Sequence, residues 1–149
     1  MVELCSWENC VAWMDMIKRT DLPFCRGKKI VLTHNGFYYD DAEEAKQESN
    51  QITEESMDKI KRCAEDIMLG FERTKRYAVK QTGSYTGKHI IEHLHDYYTT
   101  NGEFVLASFC SGLFTDPQEW LCLCNGLTAN KKKVSLNIIL PMRLKKVRH

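Results

Sequence analysis

Tyr98–Phe114 reads YTTNGEFVLASFCSGLF, and its later part is apolar on every side of a helix. Phe104, Val105, Leu106, Ala107, Phe109, Cys110, Leu113 and Phe114 match neither a single helical stripe nor the alternation of a strand. Such a segment has to be wrapped by protein. Thr99, Thr100 and Asn101 supply a polar corner with good N-cap chemistry, so the spacing predicts a helix starting near Gly102 and running to Phe114. At 1.5 Å per residue that run covers about 18 Å, too short to span a bilayer. A buried core helix is expected.

The rest of the chain sets the scale of what surrounds it. Its 149 residues suit one domain, 1–149, able to bury roughly 70% of its unfolded surface. Twenty-one Lys and Arg balance twenty Asp and Glu, which gives no reason to expect nucleic acid or an anionic membrane as main partner. The opening MVELCSWENCVAWMDMIK carries acids where a secretion signal has a basic start and an apolar run, so a cytoplasmic location is expected. Seven cysteines without CxxC spacing argue against a disulfide framework and against a structural zinc site. Most are expected to be small buried hydrophobes with free thiols.

Helix signals dominate. Leu4, Trp7, Val11, Met14 and Ile17 step by threes and fours, an amphipathic first helix over 4–18. Ile30–Thr33 reads as an ambiguous short strand and Asn35-Gly36 as a turn. The stretch 38–52 reads as a polar loop. Thr53, Glu54 and Glu55 open a helix that carries Met57, Ile60, Ala64, Ile67, Met68 and Phe71 on one flank and runs into the basic ERTKRYAVK. QTGSYTG breaks the chain before a helix over KHIIEHLHDYY. WLCLCNGLTANKKK is expected to return antiparallel against the core helix, making a central hairpin. VSLNIILPMRLKKVRH is left open between a helix interrupted at Pro141 and a β-rich tail, with 141–149 a solvated basic end.

On these residues the chain resembles the Bcl-2 family. In IKRCAEDI, the residues Ile60, Ala64, Glu65 and Ile67 occupy the places of its third homology motif. In HLHDYYTTNGEFVLASFCSGLF, the residues Leu94, Gly102, Phe104, Val105 and Gly112 resemble its first. The resemblance covers 57–114 well, the first helix loosely and the last 35 residues hardly at all. It implies an all-α, Bcl-2-like bundle of amphipathic helices around a buried central hairpin. It further implies a non-enzymatic inhibitor of apoptosis without cofactor or metal, holding the amphipathic helix of pro-apoptotic relatives in a surface groove. By position the groove would comprise Ile67, Phe71, Ile90, Leu94, Thr100, Gly102, Glu103 and Val105. Glu103 stands where protective relatives have Arg, implying narrow guest selectivity, and Asn101 replaces the usual Trp. With no apolar tail of about 20 residues, no transmembrane anchor is expected. The style resembles short, anchorless viral members, which would sit in the host cytosol or peripherally at mitochondria.

Other readings stay open. A homodimer would cover its own groove. A pro-death relative would present 57–71 as a guest helix. His89, Glu92 and His93 in HIIEH formally match the HxxEH zinc-hydrolase pattern, two imidazoles on one helical face with Glu92 as base. Cys122 and Cys124 form a C-x-C pair that reads as packing rather than a metal or redox site.

Overall fold

The computed structural model describes residues 5–75, 81–114 and 119–146. Helix α1, Trp7–Arg19, starts where the Ser6 hydroxyl accepts the Asn9 N–H (3.2 Å) and stops where both the N–H and the hydroxyl of Thr20 donate to the Met16 carbonyl. Its inward stripe is Cys10, Trp13 and Ile17, the three-and-four spacing of an amphipathic helix. A two-residue turn, His34-Asn35, joins strands β1 (Ile30–Thr33) and β2 (Gly36–Tyr39) in an antiparallel hairpin, with Thr33 opposite Gly36. The Thr33 hydroxyl holds this turn, donating to the Gly36 carbonyl (3.0 Å) and accepting from Asn35 N–H (3.2 Å).

The stretch 38–52, expected to be a loop, is folded. It contains the end of β2, the one-turn helix α2 (Glu43–Lys46) and a 3-10 turn, Glu48–Asn50. Side-chain amides of Asn50 and Gln51 donate to the Glu44 and Ala45 carbonyls, while Tyr39 and Ile52 at its two ends join the core. Helix α3, Met57–Gly70, buries Ile60, Cys63, Ala64 and Ile67. It ends earlier than the sequence pattern suggests because β3, Phe71–Arg73, leaves to pair with β6, Met142–Leu144. Strand β4 (Thr82–Gly83) pairs with β5 (Ile139–Leu140) and leads into α4, Ser84–His95, which terminates on Asp96 in the left-handed region (φ 55°).

Helix α5, Asn101–Cys110, is the core, and every one of its ten residues is buried. Helices α1, α3 and α4 and strand β2 lie against it. The expected all-round enclosure therefore holds, but the expected architecture does not. The fold is mixed α/β, with three two-stranded antiparallel sheets among the described residues, and the all-α Bcl-2-like bundle is overturned. The β1–β2 hairpin covers the start of α5, a position the bundle would give to a helix or leave open.

Among the described residues the second half of the central hairpin is also missing. Gly112 (φ 102°) lies beyond the end of α5, and from residue 119 the return segment forms a single turn, α6 (Trp120–Leu123), then a 3-10 turn, Cys124–Gly126. Trp120 compensates for the missing length by packing on Phe37 and Phe109, with ring centroids 5.8 and 6.0 Å away. The C-terminal alternative resolves as β. Pro141 separates β5 from β6, so adjacent strands pair with different partners, while the Pro141 carbonyl accepts the Thr74 N–H (2.8 Å).

Candidate interaction surface

The corner before α5 is built from three side chains. Thr100 Oγ1 accepts the Glu103 N–H (3.1 Å), Glu103 Oε1 accepts the Thr100 N–H (2.8 Å), and His34 Nδ1 lies 2.9 Å from the same hydroxyl. This is a reciprocal capping box tied to the hairpin turn. Gly102 N–H donates to the His34 carbonyl (2.8 Å), so the hairpin and the helix start share backbone bonds as well. Glu103 is 3% exposed, with Lys59 Nζ 3.9 Å away. Thr100→Ala is expected to cost about 1–2 kcal/mol, measured by urea unfolding, because it strips the cap and leaves His34 without that partner.

The eight positions assigned to the groove do not form one surface. Ile67, Phe71, Gly102, Glu103 and Val105 are buried, and Thr100 is half-buried in the cap. The place where a guest backbone would approach Gly102 is filled by the β1–β2 hairpin of the chain itself. Asn101 turns inward too, its side-chain amide donating to the carbonyls of Asn35 (3.2 Å) and Leu136 (3.1 Å). Ile90 and Leu94 behave differently. They line a surface slot of about 530 Å3 along the outer face of α4, with Tyr85, His89 and His93 beside them and Leu144 of β6 opposite. Tyr85, Leu94 and Leu144 are 56%, 59% and 42% exposed, large apolar groups left in solvent around one concavity. Sequence reasoning missed Tyr85 and Leu144. The steps 85, 89–90 and 93–94 were the available signal for one helical face; Leu144 had none, because its position depends on long-range pairing with Phe71.

A second concavity, about 620 Å3, lies between His34, Glu48, Gln51, Thr53, Lys59 and Glu103. Its lining side chains are polar or charged, and the Glu103 carboxylate among them is committed to the helix cap.

The HIIEH segment is arranged for ion pairing. Lys88 Nζ donates to both carboxylate oxygens of Glu92 (3.0 and 2.9 Å), Thr99 N–H donates to Oε2 (3.1 Å), and His89 Nδ1 is 3.1 Å from Oε1. Burial alone would raise the Glu92 pKa, but the Lys88 hydrogen bond, the Thr99 N–H and the neighbouring charges outweigh it and hold the carboxyl below its usual range. A general base for hydrolysis needs the opposite shift. Among the described residues no three His, Cys, Asp or Glu side chains are grouped to hold a metal ion. Cys122 is exposed and Cys124 buried, its thiol pushed up to about 12, chiefly by burial. Among the described residues no helix is long and apolar enough to cross a membrane.

No protein-family model, curated protein or solved structure matches the chain.

Proposed function

We propose that this chain is a protein-binding module that captures an amphipathic helix in the slot between α4 and β6. One observation carries the reading: Tyr85, Leu94 and Leu144, from two elements far apart in sequence, stand exposed around a single concave apolar surface that Ile90 floors. A helix laid along α4 would insert anchors at spacings of three and four, each contributing about 1.5–3 kcal/mol on burial, with a few dominating. His89 and His93 supply polar rims. The guest class favoured by the Bcl-2 resemblance is the amphipathic helix of pro-apoptotic proteins, which would make the chain an inhibitor of apoptosis acting through a relocated groove. Glu103 is then a capping residue and plays no part in guest choice. The converse reading, with 57–71 as a guest helix, gains no support: Ile60, Cys63, Ala64 and Ile67 are committed to the core.

The test is calorimetric titration of the intact chain with amphipathic helical peptides, pro-apoptotic ones included, repeated on Leu94→Glu. Leu94 is mostly exposed, so the variant is expected to fold normally while losing at least about tenfold in affinity through a carboxylate forced into an apolar contact. If none of the peptides binds, or the variant binds equally well, the slot is not the site. Binding confined to non-apoptotic peptides would keep the module and discard the apoptotic role.

A further inference from the structure

The first and central helices meet through sulfur. Cys10, fully buried on α1, and Cys110, 3% exposed at the end of α5, place their Sγ atoms 3.7 Å apart across a separation of 100 residues. The Cys110 thiol also hydrogen-bonds Cys5, which is half-buried just before α1, and Met57 Sδ lies 4.0 Å from Cys10 Sγ. We propose that Cys10 and Cys110 are an oxidative modification site, forming an internal disulfide that staples α1 to α5, with Cys5 as the thiol through which the oxidant enters.

The three positions divide the chemistry. Cys110 is held far above the ordinary thiol range by its hydrogen bonds to Cys10 and Cys5 and by burial, so direct attack on a peroxide by this buried group is slow. Cys5 is the cluster member with solvent access. Hydrogen peroxide oxidises the Cys5 thiol to sulfenic acid, releasing one water. The Cys110 sulfur attacks that sulfur, displacing the hydroxyl as a second water and forming a Cys5–Cys110 disulfide. The Cys10 sulfur then attacks Cys110, and Cys5 leaves as a thiol, taking up the Cys10 proton. In sum, two thiols lose two protons and two electrons, and one peroxide becomes two waters. The final exchange requires the two sulfurs to close from 3.7 Å to the disulfide bond length of about 2 Å, a movement of side-chain scale.

The experiment uses the full chain carrying Cys122→Ser, which removes the exposed thiol able to link two molecules. After reduction, peroxide treatment and alkylation, the expected product is a monomer lighter by two hydrogens. Its non-reduced peptide map joins Cys10 to Cys110, and its Tm is raised by roughly 5–15 °C until dithiothreitol reverses it. Cys110→Ala abolishes the product, and Cys5→Ser slows its appearance at least about tenfold. A map without the Cys10–Cys110 link overturns the site, and this mapping needs no folded variant. An unchanged rate in Cys5→Ser overturns the entry role.

Discussion

Gly102→Ala is expected to lower stability by about 3 kcal/mol or more. A Cβ at residue 102 would overlap the Thr33 carbonyl oxygen and stand 2.7 Å from its carbon and 2.9 Å from Ile52 Cδ1. Two of those atoms belong to backbone held in the β1–β2 ladder, so no side-chain rotation relieves the clash. The hairpin has to lift from α5. Lifting breaks the Gly102 N–H bond to His34 and the His34 contact with Thr100, and it uncovers a helix that is buried on all sides. Gly102→Glu, a natural choice for blocking a groove at this position, would therefore disrupt the fold itself. Gly70→Ala serves as control: a Cβ there meets nothing within 4 Å, and the change is expected to be neutral or stabilising by up to about 1 kcal/mol. Urea midpoints of the two variants decide the matter. Parent-like stability of Gly102→Ala would mean that the hairpin does not sit on the helix start.

The same glycine shows what the sequence reveals and what it hides. Local chemistry was legible: the N-cap of α5, the burial of its whole circumference and most of the inward stripe of α3 follow from periodicity and capping, whereas the stripe read for α1 shares only Ile17 with the buried Cys10, Trp13 and Ile17, and the strand at Ile30–Thr33 was one of two readings. The Bcl-2 resemblance implied a groove at Gly102, where glycine would admit another backbone, and the partner it implied was the wrong one. A guest helix and the hairpin of the same chain make identical demands on residue 102. The sheets were hidden for a related reason. β3, β4, β5 and β6 are two or three residues long, and each exists only because a partner about 60 to 70 positions away completes it. No window of sequence contains both halves. Of the eight groove positions, Ile90 and Leu94 reached a usable surface because their segment was read as a helix, although α4 begins at Ser84, inside the stretch read as a break, and ends at His95. The others followed from an architecture in which a hairpin now occupies the place of the slot.

Removing the Glu92 carboxylate is expected to cost about 3 kcal/mol in Glu92→Ala, comparable to the glycine change but by electrostatics. The variant strands the Lys88 ammonium, whose side chain is 9% exposed, and leaves the N–H of buried Thr99 without its acceptor. Tyr98 shields the cation further, its ring centroid 4.9 Å from Lys88 Nζ. Replacing both charged partners, Lys88→Met with Glu92→Leu, is expected to restore more than half of the loss, since no unpaired charge then remains. The pH dependence has a definite sign. The folded carboxyl sits below its ordinary value of 4.5, so the unfolded chain binds more protons through that range and stability rises with pH there. The contribution is complete above the ordinary value and disappears as pH falls through the folded one. The gap between parent and Glu92→Gln in urea should therefore narrow from about pH 7 to about pH 3, whereas a purely steric role would leave it constant. Because this pair joins the end of α4 to the Thr99–Thr100 corner, its loss should also loosen the helix that carries the slot. Glu92→Gln is accordingly expected to weaken helix binding near neutral pH without touching Leu94, and undiminished binding would separate the latch from the surface it supports.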